Sequence, residues 1–82
     1  MFYFDFLLEF NGEDTFNQVY MQTYKGNTPR KAAINYAKKN KLRLVKIESV
    51  IGSEKDNYRA YYLERRFLRK ERELIYLIKK FQ

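Results

Sequence analysis

The sequence predicts a single α+β domain, residues 1–82, in which a three-stranded antiparallel sheet carries one packing helix and a long C-terminal helix. Three observations support this prediction: apolar residues alternate near the start of the chain, helix-capping residues follow a predicted hairpin, and the last third repeats apolar residues at helical spacing. The predicted order of elements is ββαβα. Residues 1–52 form the ββαβ unit, and residues 53–81 form the long helix.

The first two elements are predicted to form a hairpin. Apolar and polar residues alternate from Phe2 to Phe10, which is typical of a strand with one buried face. Asn11-Gly12 follows, and this pair readily adopts the positive φ angles of a tight turn. Residues 15–24 alternate again and form the second strand. Strict alternation places Tyr24 on the face opposite the phenylalanines, where we expect a second core layer under the long helix.

A helix and a third strand are predicted next. Thr28 can cap free backbone amides, and Pro29 fits the first helical position without losing a needed N–H group. We expect this helix to run from Pro29 to Lys39, with Asn40 as a left-handed stop. Residues 42–51 form the third strand. A right-handed crossover through the helix would place this strand beside the first, which gives the strand order 2-1-3.

The final third of the chain is predicted to form one continuous helix. Ser53 with Asp56 three residues later is similar to a capping box, and residues 54–80 contain neither glycine nor proline. Apolar residues in this segment, among them Phe67 and Leu68, cluster on one side at 100° per residue, the side expected to be buried. A helix of this length would extend beyond the sheet and expose an apolar end. The residues of this predicted partner interface are Leu74, Ile75, Leu77, Ile78 and Phe81.

The composition argues against catalysis. The chain has no cysteine and no histidine, which most catalytic triads, many general bases and nearly all zinc sites require. Asp5 and Glu9 lie on one predicted strand about 13 Å apart, too far to share a proton. No glycine-rich phosphate loop is present. We therefore expect a protein that is not an enzyme and that has no metal, no cofactor and no small-molecule substrate.

The hydropathy pattern predicts a cytoplasmic protein without a membrane partner. No stretch of the chain approaches the ~18 to 20 apolar residues that cross a bilayer. Met1 is followed by an alternating pattern rather than by the basic and apolar regions of a signal peptide.

Charge is distributed unevenly along the chain, which has a net charge of +7. Residues 1–27 carry one basic and four acidic side chains, a net charge of −3, whereas residues 28–82 carry sixteen basic and six acidic ones, a net charge of +10. Nucleic acid is the commonest polyanion in a cytosol, so the basic part favours a nucleic-acid partner. The alternative is that the charge only keeps a small protein soluble.

The outward face of the predicted long helix combines arginine with tyrosine. Guanidinium groups bind phosphates and tyrosine rings stack on bases, although the same side chains can simply face solvent. The predicted nucleic-acid-binding residues of this helix are Tyr58, Tyr62, Arg65, Arg66, Arg69, Lys70 and Arg72, and the first helix adds Lys38 and Lys39. A second basic surface is expected from the first helix and the third strand: Arg30, Lys31, Lys38, Lys39, Lys41, Arg43 and Lys46.

Two functions follow as hypotheses. Residues 28–33, which lead into the first helix, and residues 43–48, which follow it, resemble small ribosomal and phage accessory domains, but no motif names a family. We expect a non-catalytic, nucleic-acid-associated module, such as a ribosome-associated, phage or mobile-element accessory factor. The alternative is a protein-interaction subunit or small inhibitor that dimerises, or docks on a larger protein, through the apolar end of the long helix.

Overall fold

The structure is a computed structural model that describes residues 2–50 and 57–81, with the backbone only for Phe81. Its elements are β1 (Phe2–Phe10), β2 (Thr15–Gly26), α1 (Pro29–Asn40), β3 (Leu42–Ser49), β4 (Asn57–Glu64) and β5 (Arg72–Phe81). The strands form one antiparallel sheet of five strands in the order β2-β1-β5-β4-β3. α1 connects the two edge strands and packs on one face of this sheet.

The predicted long C-terminal helix is wrong, because residues 57–81 form β4, the loop 65–71 and β5. In β4, Ala60 and Tyr62 are buried on the side of α1, and the intervening Tyr61 lies on the other side of the sheet. Tyrosine and β-branched residues favour strands. When β4 and β5 pair, each buries a row of side chains on one face of the sheet. Alternation therefore prevails over the helical spacing of the same residues. The expected start of the helix, Ser53 to Asp56, lies outside the described residues.

The predicted three-stranded sheet of order 2-1-3 is also wrong. β1 pairs with β2 and with β5, whereas β3 pairs with β4 at the far edge. Of the two strands that replace the expected helix, β5 occupies the position beside β1, and β4 lies between β5 and β3. Consequently the crossover through α1 spans the whole width of the sheet.

The prediction of α1 is confirmed. The Thr28 hydroxyl accepts a hydrogen bond from the Lys31 backbone N–H at 3.1 Å, and Pro29 is the first helical residue. The helix ends one residue later than expected, because Lys41, and not Asn40, adopts the left-handed conformation with φ 56°. The buried side chains that α1 contributes are mostly alanines, and they allow close approach to the sheet.

Aromatic rings fill the space between α1 and the sheet. Tyr36 of α1 stacks on Phe6 with a distance of 4.4 Å between ring centroids. The hydroxyl of Tyr62, which has no exposed surface, donates a hydrogen bond to the Ala33 carbonyl at 2.9 Å. Tyr24 contacts Phe6 on this same side. The expected position of Tyr24 in a second core layer is therefore wrong. The pairing of β1 with β2 shifts register between Phe6 and Leu7, and this shift places Tyr24 on the same face of the sheet as the phenylalanines.

The face of the sheet opposite α1 carries side chains that pair with one another. Arg59 Nε on β4 donates to Glu9 Oε1 on β1 at 2.8 Å, and Leu77, on the strand between them, is buried. The Thr23 hydroxyl donates to the Asp5 carboxylate at 2.7 Å. On this face Arg59 therefore neutralises Glu9, and a neutral hydroxyl binds Asp5.

Candidate functional site

One end of the sheet gathers basic residues from three parts of the chain. Leu42 at the start of β3 pairs with Glu64 at the end of β4, and Glu64 pairs with Arg72 at the start of β5. The last turn of α1, the start of β3 and the loop 65–71 therefore lie at the same end. We call this region the basic end. Its residues are Lys38, Lys39, Lys41, Arg43, Arg65, Arg66, Arg69 and Lys70.

The loop 65–71 is organised by its own hydrogen bonds. The Arg69 backbone N–H donates to the Arg66 carbonyl at 3.3 Å, which closes a turn with Phe67 and Leu68 at its centre. The Arg66 side chain adds a second bond, because its Nε donates to the Lys70 carbonyl at 3.2 Å. Leu68 has φ 58°, a left-handed conformation that leucine rarely adopts. The loop thus has a defined shape, and its cations are exposed apart from the half-buried Arg66.

An open groove lies between the loop 65–71 and the adjoining ends of β3 and β4. Its basic lining residues are Lys41, Arg43, Arg65, Arg66, Arg69 and Lys70, and Glu71 is the acidic side chain among its lining residues. Leu42 and Leu63 form apolar parts of its wall. A concave surface with this charge concentrates anions, because field lines converge in a cleft of one sign.

The cations of the basic end have no carboxylate partners within the described ranges. The ion pairs among the described residues involve other cations: Lys46 with Glu48, Arg59 with Glu9, and Arg72 with Glu64. All basic-end residues are exposed apart from Arg66, which is half-buried. Their charges are therefore available to a ligand.

The structure brings together most of the predicted phosphate contacts. Lys38 and Lys39, in the last turn of α1, lie at the same end as the loop that carries Arg65, Arg66, Arg69 and Lys70. Arg72 differs, because its Nη2 forms an ion pair with Glu64 Oε1 at 2.6 Å. The predicted second surface is divided: Lys41 and Arg43 belong to the basic end, whereas Arg30 and Lys31 lie at the opposite end of α1.

The two predicted tyrosines do not lie among the arginines. Tyr62 is completely buried, and Tyr58 is half-buried against the core cluster on the side of α1. A line of alternating tyrosine and arginine exists only if residues 57–81 are helical, which they are not. Neither phenol ring is exposed at the basic end for stacking.

The predicted partner interface is not a protruding apolar end. Leu74, Leu77 and Ile78 are buried, with exposed fractions of 5%, 3% and 0%, and Ile75 is half-buried. The side chain of Phe81 lies outside the description. These residues belong to β5, the central strand of the sheet, and not to an end that projects from it.

Sequence reasoning missed the two apolar residues at the tip of the loop. It assigned Phe67 and Leu68 to the buried side of a helix, but their exposed fractions are 90% and 88%. The available signal was the order Arg-Arg-Phe-Leu-Arg-Lys, in which two apolar residues stand between two pairs of cations.

The phenols with perturbed acidity are structural. Burial raises the pKa of Tyr36 and of Tyr62 above its ordinary value, and a hydrogen bond with Tyr76 raises the pKa of Tyr36 further. Burial also raises the pKa of Tyr76. On the opposite face, a hydrogen bond to Glu48 raises the pKa of Tyr61. These phenols stay neutral near pH 7 and lie away from the groove.

Residues 2–50 and 57–81 contain no cluster of acidic side chains that could hold a metal ion. In the same ranges no helix is long and apolar enough to span a membrane. No protein-family model matches the chain, and no curated protein or solved structure matches it either. The functional argument therefore depends on the geometry and charge of the basic end.

Proposed function

We propose that the protein is a non-catalytic, cytoplasmic nucleic-acid-binding module that contacts phosphates through the basic end. The observation that supports this proposal is the convergence of exposed cations from α1, β3 and the loop 65–71 around one groove, without carboxylate partners in the described residues. The earlier hypothesis of a helical binding face is replaced, but its cations at positions 38, 39, 65, 66, 69 and 70 remain the expected contacts.

Arginine predominates in the loop, and this favours phosphate as the ligand. A guanidinium group presents a planar fork of N–H donors that matches two phosphate oxygens. Each phosphate that is neutralised releases condensed counterions, so the affinity depends steeply on salt, with a slope of log K against log salt concentration of about −0.9 per contact on duplex DNA.

The shape of the site suits an extended polyanion. The cations at positions 41, 43, 65, 66, 69 and 70 line one groove. A positively charged groove can follow a phosphate backbone along its length. The β1–β2 turn, where Asn11 Oδ1 accepts from the backbone of Glu13 and Asp14, carries acidic residues that limit the basic surface on the β2 side.

A salt titration tests the proposal. We expect micromolar binding of mixed-sequence RNA or duplex DNA at low salt, with a steep loss of affinity as salt rises. The double variant Arg65→Glu/Arg69→Glu should abolish binding. The double variant Arg30→Glu/Lys31→Glu is the matched control, because it makes the same change in net charge at exposed positions at the other end of α1. No binding by the native chain at low salt contradicts the proposal, and equal losses in both variants contradict the location.

A second candidate function is self-association of two copies through β2. Residues 15–24 of this edge strand form the longest uncharged stretch of the chain, whereas the other edge strand, β3, carries Arg43, Lys46 and Glu48. Natural edge strands are commonly protected by charge against pairing with a second chain. An uncharged edge also lets two basic molecules approach without close repulsion.

Sedimentation velocity tests this second candidate. We expect the native chain to sediment as a dimer and the Val19→Lys variant as a monomer. Val45→Lys on β3 is the matched control, since Val19 and Val45 have similar exposed fractions of 47% and 55%. A native chain that remains monomeric at high concentration contradicts self-association.

A further inference from the structure

Phe67 and Leu68 are the most exposed large apolar side chains in the described part of the chain. They occupy the two central positions of the turn that Arg69 N–H and the Arg66 carbonyl close. Arg65 and Arg66 precede them, and Arg69 and Lys70 follow them. The tip of the loop is therefore an apolar pair held between cations.

Neither folding nor hydration explains these two side chains at this position. Leu68 holds the left-handed backbone conformation for which glycine and asparagine are suited. Phe67 contributes almost nothing to the core, because nine tenths of its surface faces solvent. Residues that are unfavourable in the isolated fold are more easily explained by a ligand that covers them.

A ligand that covers the tip and binds its cations combines anionic groups with apolar surface. Cations on both sides of the tip would attract phosphates, and an aromatic ring between them would then face the bases. Aromatic side chains stack on unpaired bases, and apolar wedges enter duplexes at steps that they partly unstack. Such insertion costs least where the bases are already mismatched, bulged or unpaired.

We infer that Phe67 is a wedge that stacks on bases of the nucleic acid held by the basic end, with Leu68 beside it, so that the preferred ligand contains an unstacked site such as a bulge, a mismatch or a junction of single and double strands. This inference depends on the proposed function, because the cations must first bind the backbone. It adds a preference for distorted sites, which phosphate contacts alone do not provide.

Binding to two matched ligands tests the wedge. One ligand is a perfect duplex, and the other is the same duplex with a single unpaired base. We expect the native chain to prefer the second ligand. Phe67→Ala should reduce this preference by about fivefold to 150-fold, the range that corresponds to about 1 to 3 kcal/mol for one stacked base. The salt dependence of binding should remain unchanged, because no phosphate contact is lost.

Fluorescence supplies a direct readout, because the chain contains no tryptophan. Phe67→Trp should keep the preference and place a single indole at the tip, where stacking on a base quenches its emission. Val45→Trp places an indole at another exposed position, on β3, and its emission should change little. Both substitutions are at solvent-facing positions, so the fold should tolerate them.

The outcomes separate the wedge from the proposed function. If salt-dependent binding persists but Phe67→Ala weakens both ligands equally and the indole at position 67 is not quenched, the wedge is overturned and the proposed function stands. If the native chain binds neither ligand at low salt, the proposed function fails and the wedge with it. If the indole responds to vesicles of anionic phospholipid and not to nucleic acid, the tip contacts membranes and the inference is overturned.

Discussion

Glu64 and Arg72 pair across the ends of β4 and β5, with Oε1 of the carboxylate 2.6 Å from Nη2 of the guanidinium. They are the last residue of one strand and the first of the next, so their ion pair closes the base of the loop 65–71. Gly12 of the β1–β2 turn lies directly against the Arg72 side chain, because a Cβ atom at position 12 would be 2.5 Å from Arg72 Cγ. The loop therefore projects from a fixed base.

The ion pair at the base of the loop predicts opposite effects on stability and binding. Glu64→Gln removes the partner of Arg72, and we expect the free energy of unfolding to fall by about 0.5 to 1 kcal/mol, as for partly exposed pairs. The same change frees a guanidinium group beside the groove, so nucleic-acid affinity should rise. Chemical denaturation and a binding titration measure the two effects.

Glu73→Gln is the control for this prediction, because it removes the same charge from an exposed neighbouring position on β5. It should leave stability nearly unchanged and raise affinity less. Equal effects of the two substitutions would show that the ion pair has no special role.

The left-handed conformation of Leu68 predicts that the tip is not optimised for stability. Leu68→Gly should raise the free energy of unfolding by about 0.5 kcal/mol, since relief of a strain of about 1 to 2 kcal/mol exceeds the entropic cost of glycine, about 0.5 to 1 kcal/mol. Thermal or chemical denaturation measures the change. Phe67→Gly at the adjacent position is the comparison, and a larger gain there would argue against strain at position 68.

The hydrogen bond from Tyr62 to the Ala33 carbonyl predicts a specific cost for a small change. Tyr62→Phe keeps the buried ring and removes only the hydroxyl, so the free energy of unfolding should fall by about 1 kcal/mol. Tyr61→Phe is the matched control on the same strand, because its hydroxyl bonds to Glu48 at an exposed site and should matter less. Urea denaturation of both variants measures the difference, and equal costs would contradict the packing described for Tyr62.

Buried phenols predict loss of stability in alkali. The pKa of Tyr36 is raised from its ordinary value of 10.0, chiefly by burial, so the folded chain keeps this proton when the unfolded chain releases it. The stabilisation is therefore complete below pH ~10 and declines as the pH rises further, by about 1.4 kcal/mol per pH unit for each such tyrosine.

Denaturation at pH ~9 and pH ~11 tests this linkage. Tyr36→Phe should lessen the decline between these two conditions by about 1.4 kcal/mol, whatever its effect on stability at neutral pH. Tyr3→Phe, at a phenol that is half exposed in the fold, is the control. A decline that is identical in Tyr36→Phe and in the native chain would contradict the burial of this hydroxyl.

Local signals were sufficient to predict β1, the start of α1 and β3. Thr28 and Pro29 determine where α1 begins through backbone chemistry that operates within four residues. β1 was predicted because its alternation is strict over Phe2–Phe10. These elements need little information from the rest of the chain.

The C-terminal third could not be predicted in the same way. Residues 57–81 satisfy both a helical spacing and an alternating one, and the loop 65–71 contains no glycine, proline, asparagine or aspartate to indicate a turn. The decision depends on pairing with β1 at the other end of the chain, where Leu7 lies opposite Leu77. Long-range strand pairing leaves little trace in a local pattern.

The cations of the candidate site could be identified from sequence, but their arrangement could not. Lys39 and Arg65 are far apart in the sequence and come to one end only because Leu42 pairs with Glu64. The same register removes Tyr62 from the surface and exposes Phe67. The composition was sufficient to predict the excess of positive charge. The location of the site could not be predicted, because it depends on which strands are neighbours in the sheet.

Chemical-shift mapping by NMR tests the central claim most directly. On addition of a short nucleic acid to the isotopically labelled chain, we expect amide shifts to concentrate at residues 38–43 and 65–71, with little change at residues 26–31 and 15–24 on the opposite end and on the β2 edge. Shifts that concentrate at either of the latter segments, or no shifts at low salt, would contradict the assignment of the basic end as the nucleic-acid interface.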